Sequence, residues 1–131
     1  MKKRAEEWLK FSKIDLDSAL KLLEDPGLTQ SVAFHCQQTI EKAFKAILEE
    51  KNFKVPRLHD LEKLFGMVEE CGLEMQIDED VLDEINDVYI ETRYPSNSGL
   101  IPDGIPKIET VKKFYNQSES VYKQVLTLLN K

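Results

Sequence analysis

Apolar residues recur every three or four positions through most of this chain, and Pro and Gly interrupt that rhythm only at a few junctions: Pro26-Gly27, Pro56, Gly72 and a cluster after residue 94. Such a period places one buried stripe on a helix and excludes the strict two-residue alternation of half-buried strands. Five helices are predicted, at about 2–24, 29–51, 58–70, 78–93 and 107–130. The chain has 131 residues, one domain's worth, and is 41% hydrophobic. The expected architecture is therefore a single all-α domain over residues 1–131, an up-and-down bundle of four to five helices with the last helix along the first two.

The stripe of the first helix is Ala5, Trp8, Leu9, Ser12, Leu16, Ala19, Leu20 and Leu23, with Phe11, Ile14 and Leu22 on another side. Two apolar sides imply two neighbours, one of them in a second subunit. The second helix, capped by Thr29 or Ser31, buries Ala33, Cys36, Ile40, Ala43, Phe44 and Ile47. Gln37 falls inside that stripe, and a buried amide needs hydrogen-bond partners, so it should reach another helix. Gly72 should end the third helix. Asp78, Glu79 and Asp80 suit the positive end of the fourth. The stripe of the fifth is Ile108, Val111, Tyr115, Ser118, Tyr122, Val125 and Leu129.

Several function classes are excluded or weakened. No apolar run approaches the ~18 residues of a membrane span, and the basic start has no apolar stretch behind it, so a cytoplasmic protein is expected. The net charge of -6 argues against a surface that coats nucleic acid. Two histidines and two cysteines, without ligand spacing, provide no metal site, and nothing implies a cofactor. Cys36 and Cys71 read as small apolar side chains, and Cys36 and His35, as helix neighbours, do not face each other. Residues 64–92 carry no Lys or Arg and ten carboxylates. That run is either a solvated ridge or a docking face for a basic partner.

One polar constellation remains. His35, Gln38 and Lys42 share a face of the second helix, and Asn86, Ile90 and Arg93 share a face of the fourth. If the two faces meet, they combine an imidazole, an amide and cations, which suits a phosphate or a nucleobase. The alternative is an ordinary solvated face with one helix-end Arg. The Pro- and Gly-rich segment 95–106 is long for a helix connection, and such loops often carry function.

The blocks Val32-Ala33-Phe34-His35-Cys36-Gln37-Gln38-Thr39-Ile40-Glu41-Lys42-Ala43-Phe44-Lys45-Ala46, His59-Asp60-Leu61 and Tyr89-Ile90-Glu91-Thr92-Arg93-Tyr94-Pro95, with Trp8 and Asp15-Leu16 before them, resemble the HEPN (higher eukaryotes and prokaryotes nucleotide-binding) domain. The resemblance covers essentially the whole chain. It implies a helical bundle that dimerises, and small members that stand beside a minimal nucleotidyltransferase as a toxin–antitoxin pair. It implies a ligand site at His35, Gln38, Lys42, Arg93, Tyr94 and His59, for a nucleotide or RNA. Many HEPN proteins are metal-independent ribonucleases whose Arg is followed, after four to six residues, by His. Here those positions are Ser98, Gly99 and Leu100, and no His follows Arg93. The usual proton carrier is missing, so the resemblance implies a binding rather than a cleaving member. Its alternatives are a ribonuclease with a displaced His35 or His59, and a purely structural interaction module.

Overall fold

The computed structural model describes residues 1–93 and 105–130, the side chains of 91–93 excepted. The helices are α1 (Lys3–Leu22), α2 (Thr29–Glu50), α3 (Leu61–Glu70), α4 (Glu79–Arg93) and α5 (Ile108–Leu129), with a short 3-10 turn at Pro26–Leu28. Among the described residues there is no strand, so the predicted helical bundle is what forms.

The second helix is the axis of the molecule and packs against all four others. Its buried positions run almost all round, from Val32 and Ala33 to Ile47 and Leu48. Small residues (Ala33, Cys36, Ala43 and Ala46), each fully buried, let neighbours approach it closely. Cross-links set the directions. Arg4 pairs with Glu49 and Ser12 bonds the carbonyl of Thr39, so α1 runs antiparallel to α2. Thr29 bonds the carbonyl of Pro106 and Ser118 that of Cys36, so α5 runs parallel to it.

Helix ends follow local chemistry. Asp78 accepts from the amides of Asp80 and Val81 ahead of α4. Gly72, at φ 81°, closes α3 and donates to Glu69 O, as predicted. Asn52, at φ 64°, closes α2, with Phe53 N donating back to Leu48 O and Asn52 N to Glu49 O. The predicted Thr29 cap does not form. Leu28 stands at the cap position, and the Thr29 hydroxyl is committed to Pro106.

Two stripes are shifted from expectation. In α5 the deepest residues are Val111, Phe114, Ser118, Val121 and Val125, while Tyr115 and Tyr122 sit at the margin. In α1, Leu20 is exposed and Asp15 is buried in the stripe. Phe11 and Ile14 stand 54% and 60% exposed, an apolar face without cover among the described residues. Both cysteines are free. Burial pushes the Cys36 thiol up to about 12, which fits an inert apolar side chain, but Cys71 is only half-buried. No helix of the described residues is long and apolar enough to cross a membrane. The acidic stretch is tied to α5 where Lys113 pairs with Glu84 at 2.9 Å, where Gln117 donates to the carbonyl of Asp78, and where Gln124 bonds the backbone of Gln76.

Candidate functional site

The polar face of α2 is organised by two carboxylates. Asp15 projects from α1 into the α1–α2 contact and is 7% exposed. Its two oxygens take different partners: His35 Nδ1 at 2.8 Å and Lys42 Nζ at 2.7 Å. His35 and Lys42 are two helical turns apart, so one carboxylate spans both. The Lys42 ammonium also lies 5.9 Å from the centre of the Phe11 ring. Glu41, on α2 itself, is 3% exposed. It accepts from Lys45 Nζ at 2.9 Å, His59 Nδ1 at 2.8 Å, Gln37 Nε2 at 3.1 Å and Gln38 Nε2 at 3.3 Å. Gln37 also donates to the carbonyl of His59 and accepts from Gln38, so the buried amide reaches the segment entering α3. Among the described residues, every buried side-chain polar atom has a partner.

Burial alone would raise the carboxyl of Asp15, but the bonds from His35 and Lys42 outweigh it and hold it below the ordinary Asp range. Glu41 is likewise raised by burial and brought below its ordinary value by Lys45, His59 and Gln37. A carboxyl depressed in the folded state stabilises the fold fully above its unfolded pKa and loses that contribution as pH falls through the folded value. Urea midpoints should therefore fall as the pH drops below about 4. The fall should be shallower in Asp15→Asn and Glu41→Gln, measured against each variant's own midpoint at neutral pH. Equal slopes in all three proteins would contradict this assignment.

A row of rings joins the two clusters. His35 meets Phe34 edge-on, with centroids 5.3 Å apart. Phe34 stacks on Tyr89 of α4 at 5.9 Å and 20°. Tyr89 in turn lies 6.1 Å from His59. The terminal rings of this row are the two imidazoles, each with Nδ1 held by a buried carboxylate. Such a bond fixes the ring and, in the neutral form, places the proton on Nδ1.

His35, Gln38, Lys42 and His59 are thus gathered on one face, but not as free groups. Lys42 is neutralised by Asp15, and Gln38 is spent on Gln37 and Glu41. His59 does not cap α3. Asp60 does, accepting from the amides of Glu62 and Lys63. Asn86, expected to face α2, accepts from Leu61 N at 3.1 Å and steadies the start of α3. Ile90 is exposed. Arg93 closes α4 one helical turn after Tyr89, and its side chain lies outside the described residues, as do Tyr94 and the segment 94–104. Sequence reasoning missed Asp15, Glu41, Lys45 and Phe34 as parts of the site. The available signal was a carboxylate set among buried positions: Asp15 between Ser12 and Leu16, and Glu41 beside Ile40.

The sequence profile of the HEPN domain matches residues 5–128, nearly the whole chain. The chain belongs to the HEPN family. Its fold agrees: the crystal structure of ST0689, an archaeal HEPN homologue, superposes with a TM-score of 0.66 over 98% of each chain, at 19% identity. No curated protein matches the sequence. In this HEPN domain no three described His, Cys, Asp or Glu side chains converge as a metal site requires.

Proposed function

We propose that this HEPN domain is a binding module for a nucleotide or similar phosphate-bearing ligand, that it acts as a homodimer, and that its protein partner is of the nucleotidyltransferase type, as in a toxin–antitoxin pair. The observation that carries the ligand reading is the α2 face itself. Two imidazoles with fixed rings, the Gln38 amide and an ammonium lie together, and the Arg93 end of α4 follows Tyr89 by one turn. Lys42 and Lys45 are each balanced by a carboxylate, so the phosphate charge falls chiefly to Arg93, whose guanidinium fork matches it. The exposed Phe11 and Ile14 of α1 support the dimer, and family membership supports the partner.

Thermal unfolding against a panel of nucleotides and short RNAs tests the ligand reading. A ligand of the folded state at about 100 times its Kd stabilises by ~2.7 kcal/mol. One nucleotide class should raise the Tm, and Arg93→Ala should remove the rise. An undiminished rise in Arg93→Ala would refute the site, and no rise with any ligand would shift the function to the protein partner.

A further inference from the structure

Phe34 is an anomaly on a helix whose other large apolar residues are buried. It is 38% exposed, yet it is not loose: one face rests on Tyr89, which is 4% exposed, and His35 abuts it edge-on. Among the described residues no other ring covers it. The result is a flat aromatic surface, stiffened from below and bordered by hydrogen-bonding groups, with His35 touching it and Gln38 one helical turn along α2.

From this we infer that Phe34 is the stacking platform of the site, so that the ligand class is one carrying a planar nucleobase rather than a phosphate or phosphosugar alone. A nucleobase presents a π-face to Phe34 and polar edges to its border, whereas a bare phosphate would gain nothing from an exposed phenyl ring. Stacking tolerates any base, so the platform selects the class, and an adenine nucleotide probes it as well as any other. This inference rests on the proposed ligand site but is separable from it, because stacking and phosphate recognition use different residues.

The test is calorimetric titration of the full chain with AMP, adenosine and ribose 5-phosphate, in wild type, Phe34→Ala and Phe34→Trp. AMP should bind wild type roughly 10–100-fold more tightly than ribose 5-phosphate. Phe34→Ala should erase that ratio while leaving ribose 5-phosphate unchanged, and Phe34→Trp should keep it. Phe34→Trp retains the ring contact with Tyr89, so a fault in folding of the Ala variant would not mask the answer. Equal affinity for AMP and ribose 5-phosphate in wild type would overturn the platform and leave the phosphate site standing. Adenosine binding as tightly as AMP, and lost in Phe34→Ala, would uphold the platform and remove the phosphate site. Absence of binding by both AMP and adenosine would overturn the platform.

Discussion

Glu41→Ala is expected to destabilise the protein by about 3–5 kcal/mol, the range for breaking a buried ion pair from one side. The variant leaves the Lys45 ammonium, on a residue only 5% exposed, without its 2.9 Å carboxylate partner. Gln37 keeps the carbonyl of His59 but loses one acceptor, and Gln38 loses one as well. The Trp8 ring 5.6 Å from Lys45 Nζ offers partial compensation only. His59 adds little to the loss, since its side chain is 58% exposed and water replaces the bond. For a domain of this size the Tm should drop by roughly 10–20 °C. The cost is one of an orphaned charge rather than of a missing attraction, which gives the prediction a second arm. The double variant Glu41→Leu/Lys45→Met, which removes both charges, should recover most of the loss. If the single variant costs under about 1 kcal/mol, or the double variant costs the sum of the singles, the buried-pair account is wrong.

Phe44→Ala should cost about 3–5 kcal/mol, for a different reason. Phe44 is fully buried, and its ring stacks on Phe65 of α3 at 5.7 Å and 22°. Truncation opens a cavity where α2 and α3 meet, and the surrounding helices can close only part of it. Phe44→Leu keeps most of the volume and should cost less than half as much. Phe34→Ala, on the same helix but at a 38% exposed position, should cost far less than Phe44→Ala. Urea midpoints of the three variants give the ranking. If Phe34→Ala proved as damaging as Phe44→Ala, Phe34 would be a structural residue and not a surface platform.

The fold was legible because it is written in periodicity. Helix starts and ends were read to within three residues, Gly72 closes α3 as its position required, and the buried Gln37 amide is hydrogen-bonded, though to its own helix and the segment before α3 rather than to another helix. Periodicity fails where side chains are long or amphipathic. Tyr115 and Tyr122 look like stripe residues but stay only half-buried, and the Tyr115 hydroxyl meets Glu119. The Thr29 cap failed because the helix starts one residue early: Thr29 already has helical angles (φ -62°, ψ -30°), Leu28 holds the cap position, and the Thr29 hydroxyl donates to Pro106 O instead. The site was half legible. Residues sharing the α2 face, His35, Gln38 and Lys42, follow from three- and four-residue spacing. Their partners come from elsewhere: Asp15 is 20 positions from His35, and His59 is 18 positions from Glu41. A buried carboxylate and a solvated one look alike in a sequence, because burial is decided by what the other helices bring.

The chain's two histidines both stand in the proposed site, so in isotope-labelled protein they report on it without substitutions. The most direct measurement is long-range nitrogen–proton NMR of the two imidazoles during titration with AMP. In the free protein, each neutral ring should carry its proton on Nδ1, toward Asp15 or Glu41. On saturation both imidazoles should shift together, along one binding curve. Two rings that stay unmoved at saturating AMP, with binding seen by calorimetry, would place the ligand elsewhere on the domain and contradict the α2 face as its site.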